Sequence, residues 1–214
     1  MDPAEGVLAE RIRLAAAGDR EAMEELMAAH RLRLRQMVAV RLDGRMASRI
    51  DASDVVQESL MEATRRLPEY LEQPEVPFFV WLRQLAWQRL AQLYRFHFKA
   101  QRRSVEREVA EIPVSDESML LFADRLAASG MAPSRHLRRR ETQEQVRVAL
   151  ARLAPVDQEV LVLRHFEQLS TKEIAAVLKI SEPAVRHRQR RALERLTREL
   201  RSSSEGERDG RPDS

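Results

Sequence analysis

The stretch from Thr171 to Leu196, TKEIAAVLKISEPAVRHRQRRALERL, decides the fold of the carboxyl-terminal part of the chain. It contains two short helical patterns separated by a tripeptide, and the second pattern is rich in arginine. Apolar residues occupy the positions where two such helices cross, and the small Ala175 occupies the position of closest approach. This spacing predicts a helix-turn-helix. The predicted crossing residues are Ile174, Leu178, Ile180 and Val185.

The turn between the two predicted helices has one unusual residue. Ser181 is suited to cap the second helix, and Pro183 suits its first turn because proline has no N–H that would be left unbonded. Lys179, in contrast, stands at a turn position that is often glycine. A positive φ at Lys179 would cost about 1–2 kcal/mol.

The second predicted helix, 182–201, turns a polar side away from Val185, Ala192 and Leu196. A guanidinium group can bind the guanine edge in the major groove through two hydrogen bonds, and several together neutralise phosphates. The pattern therefore predicts a helix that contacts duplex DNA, and a solvated arginine-rich helix of a bundle is the structural alternative. The candidate contacts to DNA are Glu182, Pro183, Arg186, His187, Arg190 and Arg191.

The composition favours helix throughout the chain. Its 214 residues include only 6 Gly and 5% aromatic residues, whereas Ala, Leu, Arg and Glu are abundant. We expect an all-α protein with two small helical domains, 1–108 and 135–201. A linker over 109–134 and a disordered tail over 202–214 are predicted from their mixed, Pro-, Gly- and Ser-containing sequences.

Several classes of protein are disfavoured by the sequence. Cysteine is absent and the five histidines show no metal-ligand spacing, so we expect no metal, no cofactor and no enzyme. No run of residues approaches the length of a membrane span, and the amino terminus lacks the pattern of a signal peptide. We therefore expect a cytoplasmic protein that has no membrane partner.

Charge is arranged in blocks along the chain. Residues 51–75 contain seven acids against two arginines, a net charge of −5. Residues 83–107 contain seven bases against one acid, a net charge of +6, and residues 170–201 have a net charge of +5. These blocks indicate that different faces of the protein bind different partners, and a polyanion is the expected partner of the basic blocks. The alternative is that each block is a solvated helix face.

The acidic block begins with a helix signal. Asp51 is suited to cap a helix, Asp54 is favourable in its first turn, and the helix is predicted to end near Leu67–Pro68. The two prolines of EYLEQPEVPFF, residues 69–79, predict a loop. Pro77 then opens a helix that is predicted to run from Phe78 past Arg103.

Four stretches of the chain together resemble bacterial extracytoplasmic-function sigma factors, from about Gly18 to Leu200. In that family the first three stretches form the promoter-melting domain, called region two, and the last forms region four. The order of the four stretches is the order found in the family. They are GDREAMEELMAAHRLRLRQMV, DASDVVQESLMEATRRLPEY, PFFVWLRQLAWQRLAQLYR and LARLAPVDQEVLVLRHFEQLSTKEIAAVLKISEPAVRHRQRRALERL.

The resemblance implies a polymerase-binding surface on the acidic helix. In the family this helix docks on the clamp helices of the largest RNA polymerase subunit, and the acidic charge independently favours a basic protein partner over DNA. Capping of their own helix is the alternative role for Asp51 and Asp54. The candidate contacts to core polymerase are Asp54, Gln57, Glu58 and Glu62.

The resemblance also implies a surface for the minus-ten element between residues 71 and 103. The loop 71–77 is similar to the segment that captures a flipped base, and aromatic residues after it would stack on the separated strand. Trp81 is more easily explained as a core residue. The family usually has Asn and Asp where this chain has Gln88 and Gln92, so its minus-ten preference does not transfer. The candidate contacts are Arg83, Trp87, Gln88, Tyr94 and Arg95.

The resemblance therefore predicts a sigma factor that directs promoter-specific transcription initiation. Its expected partners are the clamp helices and the flap of core RNA polymerase, promoter DNA, and an anti-sigma factor. Two other functions remain open on the residues alone. A helix-turn-helix repressor or activator would bind duplex DNA without polymerase, and a helical adaptor would bind proteins through its acidic face.

Overall fold

The computed structural model describes residues 3–42, 44–47, 49–98, 145–150 and 152–209. Within these ranges there are helices and no strand, which confirms the all-α prediction. The chain divides into two compact units, Met1–Pro113 and Val114–Ser214. Both predicted domain limits, at 108 and 135, and the linker 109–134 lie outside the described residues. The helices are α1 (Pro3–Ala16), α2 (Arg20–Arg41), α3 (Gly44–Ala47), α4 (Ala52–Glu72), α5 (Phe78–Phe98), α6 (Pro155–His165), α7 (Thr171–Leu178) and α8 (Glu182–Asp209).

The first unit is built from α2, α4 and α5, which pack against one another, with α1 against α2. Each helix contributes an apolar side to the core. Burying one large apolar side chain contributes roughly 1.5–3 kcal/mol, so these sides determine how the helices are oriented. The apolar stripe of α4 is buried throughout, and its members are Val56, Leu60, Ala63 and Leu67.

The amino termini of α2 and α4 are capped by aspartates. The Oδ1 atom of Asp51 accepts a hydrogen bond from the Ser53 N–H at 2.7 Å, as the sequence predicted. The Oδ1 atom of Asp19 accepts one from the Ala22 N–H at 3.0 Å. Gly18 precedes this cap with a φ of 95°, a conformation that favours glycine. Gly18 and Asp19 therefore separate α1 from α2.

Helix α4 extends past Pro68 to Glu72, so its predicted end near Leu67–Pro68 was wrong by about one turn. A proline inside a helix costs about 3 kcal/mol because it lacks an N–H and crowds the preceding turn. Packing of this last turn offsets that cost. Leu67 is fully buried, and the ring of Tyr70 lies 4.8 Å from that of Trp81. The loop predicted over residues 69–79 is therefore limited to residues 73–77.

The second unit contains the predicted helix-turn-helix in α7 and α8, supported by α6 and by the helical residues 145–150. Of the four predicted crossing residues, Ile174 and Val185 are fully buried. The other two, Leu178 and Ile180, are half-buried, as is the small Ala175. The other apolar residues of this core with 0% exposure are Val146, Val160, Leu161, Leu163, Leu169 and Ala192.

Helices α7 and α8 each begin with a serine that caps the helix through hydrogen bonds. At the start of α7 the side chains of Ser170 and Glu173 form a capping box, in which the Ser170 N–H donates to Glu173 Oε2 at 2.7 Å. The Glu173 N–H donates in return to Ser170 Oγ at 3.2 Å. Two orphan N–H groups are satisfied in this way. At the start of α8 the predicted cap, Ser181, accepts a longer hydrogen bond of 3.4 Å from the Ala184 N–H.

Two residues with side chains adopt the left-handed conformation on either side of α7. Lys179, which ends the helix, has a φ of 54°, and Gln168, two residues before the cap Ser170, has a φ of 56°. Each conformation costs about 1–2 kcal/mol for a residue other than glycine. The Ala175 carbonyl accepts the Ile180 N–H at 3.1 Å, which fixes the chain direction after Lys179.

Helix α8 is longer than predicted. It continues to Asp209, eight residues past the expected end at Arg201, and so includes most of the segment 202–214 that was expected to be disordered. Residues 202–209 contain no proline, and Gly206 alone lowers the helix propensity there by about 1 kcal/mol. The prediction of disorder considered only the composition of residues 202–214. A helix that has already formed is extended more easily than a new one is started, so α8 continues into this segment.

None of the helices in the described part of the chain is both long and apolar enough to cross a membrane.

Replacement of Lys179 by glycine should stabilise the second unit by about 1 kcal/mol, because glycine removes the left-handed penalty and loses part of that gain to its unfolded-state entropy. Urea unfolding followed by circular dichroism would measure the shift. Lys179→Ala is the matched control, since it removes the same charge and keeps the strained φ. Equal stability of the two variants would contradict the prediction.

Candidate nucleic-acid interface

Five of the six predicted DNA contacts share one exposed side of α8. Successive helical residues are rotated by about 100°, which places these five within about 140° of one another around the helix axis. The Arg186 guanidinium lies 3.3 Å from Glu182, and Arg190 lies 3.9 Å from Glu194. Exposed pairs of this kind are weak, so a polyanion can displace them. The five residues are Glu182, Pro183, Arg186, His187 and Arg190.

The opposite side of α8 is anchored in the core of the second unit. Val185, Ala192 and Leu196, predicted to form the packing side, are all buried. This burial fixes the rotation of the helix about its own axis. The exposed side with Arg186 is therefore presented in one orientation, which a surface that contacts DNA requires.

Arg191, the sixth predicted contact, lies in an ion cluster with α6. Its Nη2 atom donates to Asp157 Oδ2 at 2.9 Å, and Arg188 Nη1 donates to Asp157 Oδ1 at 3.3 Å. Arg195 approaches the same carboxylate at 3.9 Å. The Asp157 side chain is 0% exposed, so its charge is buried and compensated by arginines of α8. Sequence reasoning missed Asp157, which lies in the first turn of α6 and whose partners lie 31 and 34 positions along the chain.

The predicted polymerase contacts lie on the side of α4 that faces away from the core. Asp54, Gln57 and Glu58 are exposed, and Glu62 is half-buried. Glu58 forms an ion pair with Arg89 of α5. Beside them is a groove of about 540 Å³ between α4 and α5. Met61, at the edge of this groove, is 51% exposed, which is high for a large apolar side chain.

The predicted minus-ten residues fall into an interior and an exposed group. Arg83 is 6% exposed, and its Cζ atom lies 5.4 Å from the centre of the Trp87 ring. Arg41 approaches the same ring at 5.3 Å, and its carbonyl accepts the Tyr94 hydroxyl at 2.8 Å. Trp87 is half-buried between these cations. Gln88 and Arg95 are exposed on the same helix.

The loop 73–77 is tied to the core by Tyr70. Its hydroxyl donates to the Val76 carbonyl at 2.9 Å, and burial raises the pKa of its phenol. The Tyr70 ring also contacts Phe78 at 5.4 Å and Trp81 at 4.8 Å. Trp81 is therefore a member of a packed aromatic cluster, which agrees with the expectation that it belongs to the core. The loop itself stays exposed over residues 73–75.

The helix-turn-helix with a guanidinium-bearing second helix matches a known family. The sequence model described as "Sigma-70, region 4" matches residues 143–196, which include α6, α7 and the start of α8. A shorter match is to the RNA polymerase sigma-E factor of Streptomyces coelicolor, with 52% identity over 48 residues, 22% of this chain and 27% of that protein. The match to the region 4 model lies within the second unit.

A relative matches along nearly the whole chain. It is the RNA polymerase sigma factor CnrH of Cupriavidus metallidurans, which is 31% identical over 193 residues, covering 89% of this chain and 93% of CnrH. A solved structure, CnrH in complex with the cytosolic domain of CnrY, superposes with a TM-score of 0.51 at 26% identity. This match covers 90% of this chain and 96% of that one. The chain therefore belongs to the RNA polymerase sigma factors, in the extracytoplasmic-function group that its sequence resembles.

Proposed function

We propose that this chain is a specificity subunit that binds core RNA polymerase and directs it to promoters. Helix 182–201 contacts the minus-thirty-five element as duplex, and the segment 71–103 opens the minus-ten element. The observation that carries this proposal is the exposed side of α8 with Arg186 and Arg190, whose opposite side is buried in a unit that matches sigma-70 region 4.

The acidic side of α4 supports a polymerase contact. The buried residues of α4 lie on its other side. The acidic side carries the carboxylates of Asp54, Glu58 and Glu62 and the amide of Gln57. Such a surface repels DNA and attracts a basic protein surface, which in this family is the clamp helices of the largest polymerase subunit. The second unit would contact the flap of the second-largest subunit. Met61 adds an apolar contact at the edge of the same surface.

The aromatic side of α5 supports contact with the separated minus-ten strand. Trp87 keeps part of its ring accessible, and Arg41 and Arg83 raise the positive potential around it. Stacking of a base on an aromatic ring contributes about 1–3 kcal/mol, which offsets part of the cost of unstacking. Gln88 and Arg95 would contact the strand directly, Tyr94 would support the site through Arg41, and Arg83 would act through Trp87.

A stand-alone helix-turn-helix repressor or activator explains less of the chain. That function requires only the second unit, whereas the match to CnrH extends across 89% of the sequence, including α2, α4 and α5. The acidic side of α4 also has no role in binding a duplex.

The remaining expectations follow from the family. We propose no covalent chemistry for this chain, because promoter opening requires binding energy alone. We also propose that it acts in the cytoplasm, where RNA polymerase is found. The structure of CnrH contains the cytosolic domain of CnrY, so an anti-sigma factor that sequesters this chain is a further candidate partner.

Arg186→Ala should reduce transcription about 5- to 150-fold, the range expected when one base contact worth about 1–3 kcal/mol is lost. Transcription by the reconstituted holoenzyme would be measured on the native promoter and on promoters substituted at each minus-thirty-five base. Loss of discrimination at one base is the expected signature. Arg198→Ala, an exposed change on the same helix, is the control. An equal loss on every promoter would assign Arg186 to phosphate contact.

Glu58→Arg should abolish co-purification with core RNA polymerase, because it reverses the charge at the centre of the acidic side of α4. It also breaks the pair with Arg89, so the double variant Glu58→Arg with Arg89→Glu is needed. The double variant restores the pair and should still fail to bind. Glu24→Arg makes the same change of charge at an exposed position on α2, and this variant should bind core polymerase normally. Binding by the double variant would refute the docking surface.

Trp87→Ala should slow promoter opening by about 5- to 150-fold while leaving closed-complex binding nearly unchanged, because the ring acts only after the bases separate. Permanganate reactivity of unpaired thymines measures opening, and a filter-binding assay measures the closed complex. Trp87→Phe keeps an aromatic ring and should open at an intermediate rate. If the rate of promoter opening is unchanged in Trp87→Ala, Trp87 has only a packing role in the core.

A further inference from the structure

The carboxylate of Asp157 joins α6 to three arginines of α8. Arg191 and Arg188 donate hydrogen bonds to its two oxygens at 2.9 and 3.3 Å, and Arg195 lies at 3.9 Å. Asp157 is fully buried, whereas the three arginine side chains are 35–47% exposed. Each arginine side chain is therefore partly exposed although its guanidinium lies at a buried carboxylate.

These three arginines lie beside the DNA-contacting side of α8. With about 100° between successive residues, Arg191 is rotated only about 40° from His187 around the helix axis. Arg188 and Arg195 follow farther around the same flank. A guanidinium on this flank would be close to the phosphate backbone once Arg186 and Arg190 contact the groove, unless another group binds it first.

We infer that Asp157 is a positioning residue that determines which arginines of α8 contact DNA. It retains Arg188, Arg191 and Arg195 on the unit and leaves Arg186, His187 and Arg190 as the contact set. This inference rests on the proposed function of α8 as the DNA-contacting helix. Phosphate contacts strengthen binding to every sequence by a similar factor, so their restriction lowers the affinity for DNA of any sequence and makes that affinity less dependent on salt.

Burial of the carboxylate explains why it competes successfully with phosphate. A buried charge that loses its partners is strongly destabilising, so release of the arginines from Asp157 is costly. A phosphate contact at the rim forms in water, where the attraction is screened by salt. The arginines are therefore retained by Asp157 when DNA approaches.

The test uses Asp157→Asn in the full chain, with a short duplex of random sequence as the probe. Fluorescence anisotropy measures its affinity over a range of salt concentrations. We expect tighter binding, with the slope of log affinity against log salt steeper by about 0.9 for each guanidinium that now reaches a phosphate.

Glu199→Gln is the matched control, because it removes one negative charge from α8 at a residue that pairs with Arg152, outside the contact set. A purely long-range charge effect would alter both variants equally and would overturn the inference. Weaker binding by Asp157→Asn to random and promoter duplexes alike would also overturn it, since that result assigns Asp157 a role in folding only. An unchanged slope of log affinity against log salt in Asp157→Asn would likewise overturn the inference.

A second variant keeps the inference testable if Asp157→Asn does not fold, as judged by circular dichroism. Arg188→Gln in the otherwise native chain should leave the salt slope unchanged, because Arg188 is bound to Asp157. A slope reduced by about 0.9 would show that Arg188 already contacts phosphate, and the inference would fail. Where both variants fold, adding Arg188→Gln to Asp157→Asn should lower the slope again.

The anisotropy measurement requires no polymerase, so its outcome depends on contact between α8 and DNA and not on polymerase binding. Co-purification of the native chain with core RNA polymerase tests that function separately. If the chain fails to bind polymerase but shows the expected salt slopes, the positioning role of Asp157 stands and the proposed function as a sigma factor fails.

Discussion

Burial of one apolar side of α8 is the constraint on which the second unit depends. Val185, Ala192 and Leu196 fill the contact with the preceding helices, so an arginine-rich helix can rest in only one rotation. The arginines are thereby sorted into two groups. Arg186 and Arg190 face solvent on one side, and Arg188, Arg191 and Arg195 meet the buried carboxylate of α6. The same apolar contact therefore stabilises the unit and defines its surface chemistry.

The first unit uses the same principle with the opposite charge. The stripe with Leu60 and Leu67 is buried on α4, and the carboxylates of Asp54 and Glu58 are turned outward. On α5, Arg83 lies inside the unit, with its guanidinium 5.4 Å from the centre of the Trp87 ring. In both units the exposed charges of the candidate contact surfaces are positioned by apolar packing on the opposite side of the helix, because packing energies exceed those of exposed ion pairs.

Features with a short-range cause were predictable from the sequence. The cap at Asp51, the helix-turn-helix and the strained turn at Lys179 each follow from a few neighbouring residues. Features that depend on distant contacts were not. Pro68 is tolerated because Tyr70 packs on Trp81 from the next helix, and Arg191 binds Asp157, 34 positions away, although it was predicted to contact DNA. The pattern of a single helix does not show which residue of another helix it will meet, so these two pairings could not be predicted.

The short helix α7 lies between two left-handed residues, Gln168 and Lys179, and this arrangement affects local stability. An isolated helix of this length does not persist in water, so α7 depends on Ile174 and its caps for support. Opening it would release the backbone strain at both joints, which together store about 2–4 kcal/mol. Transient breathing of the second unit should therefore begin at α7, while α8 remains folded on α6 through its buried side and its tether to Asp157.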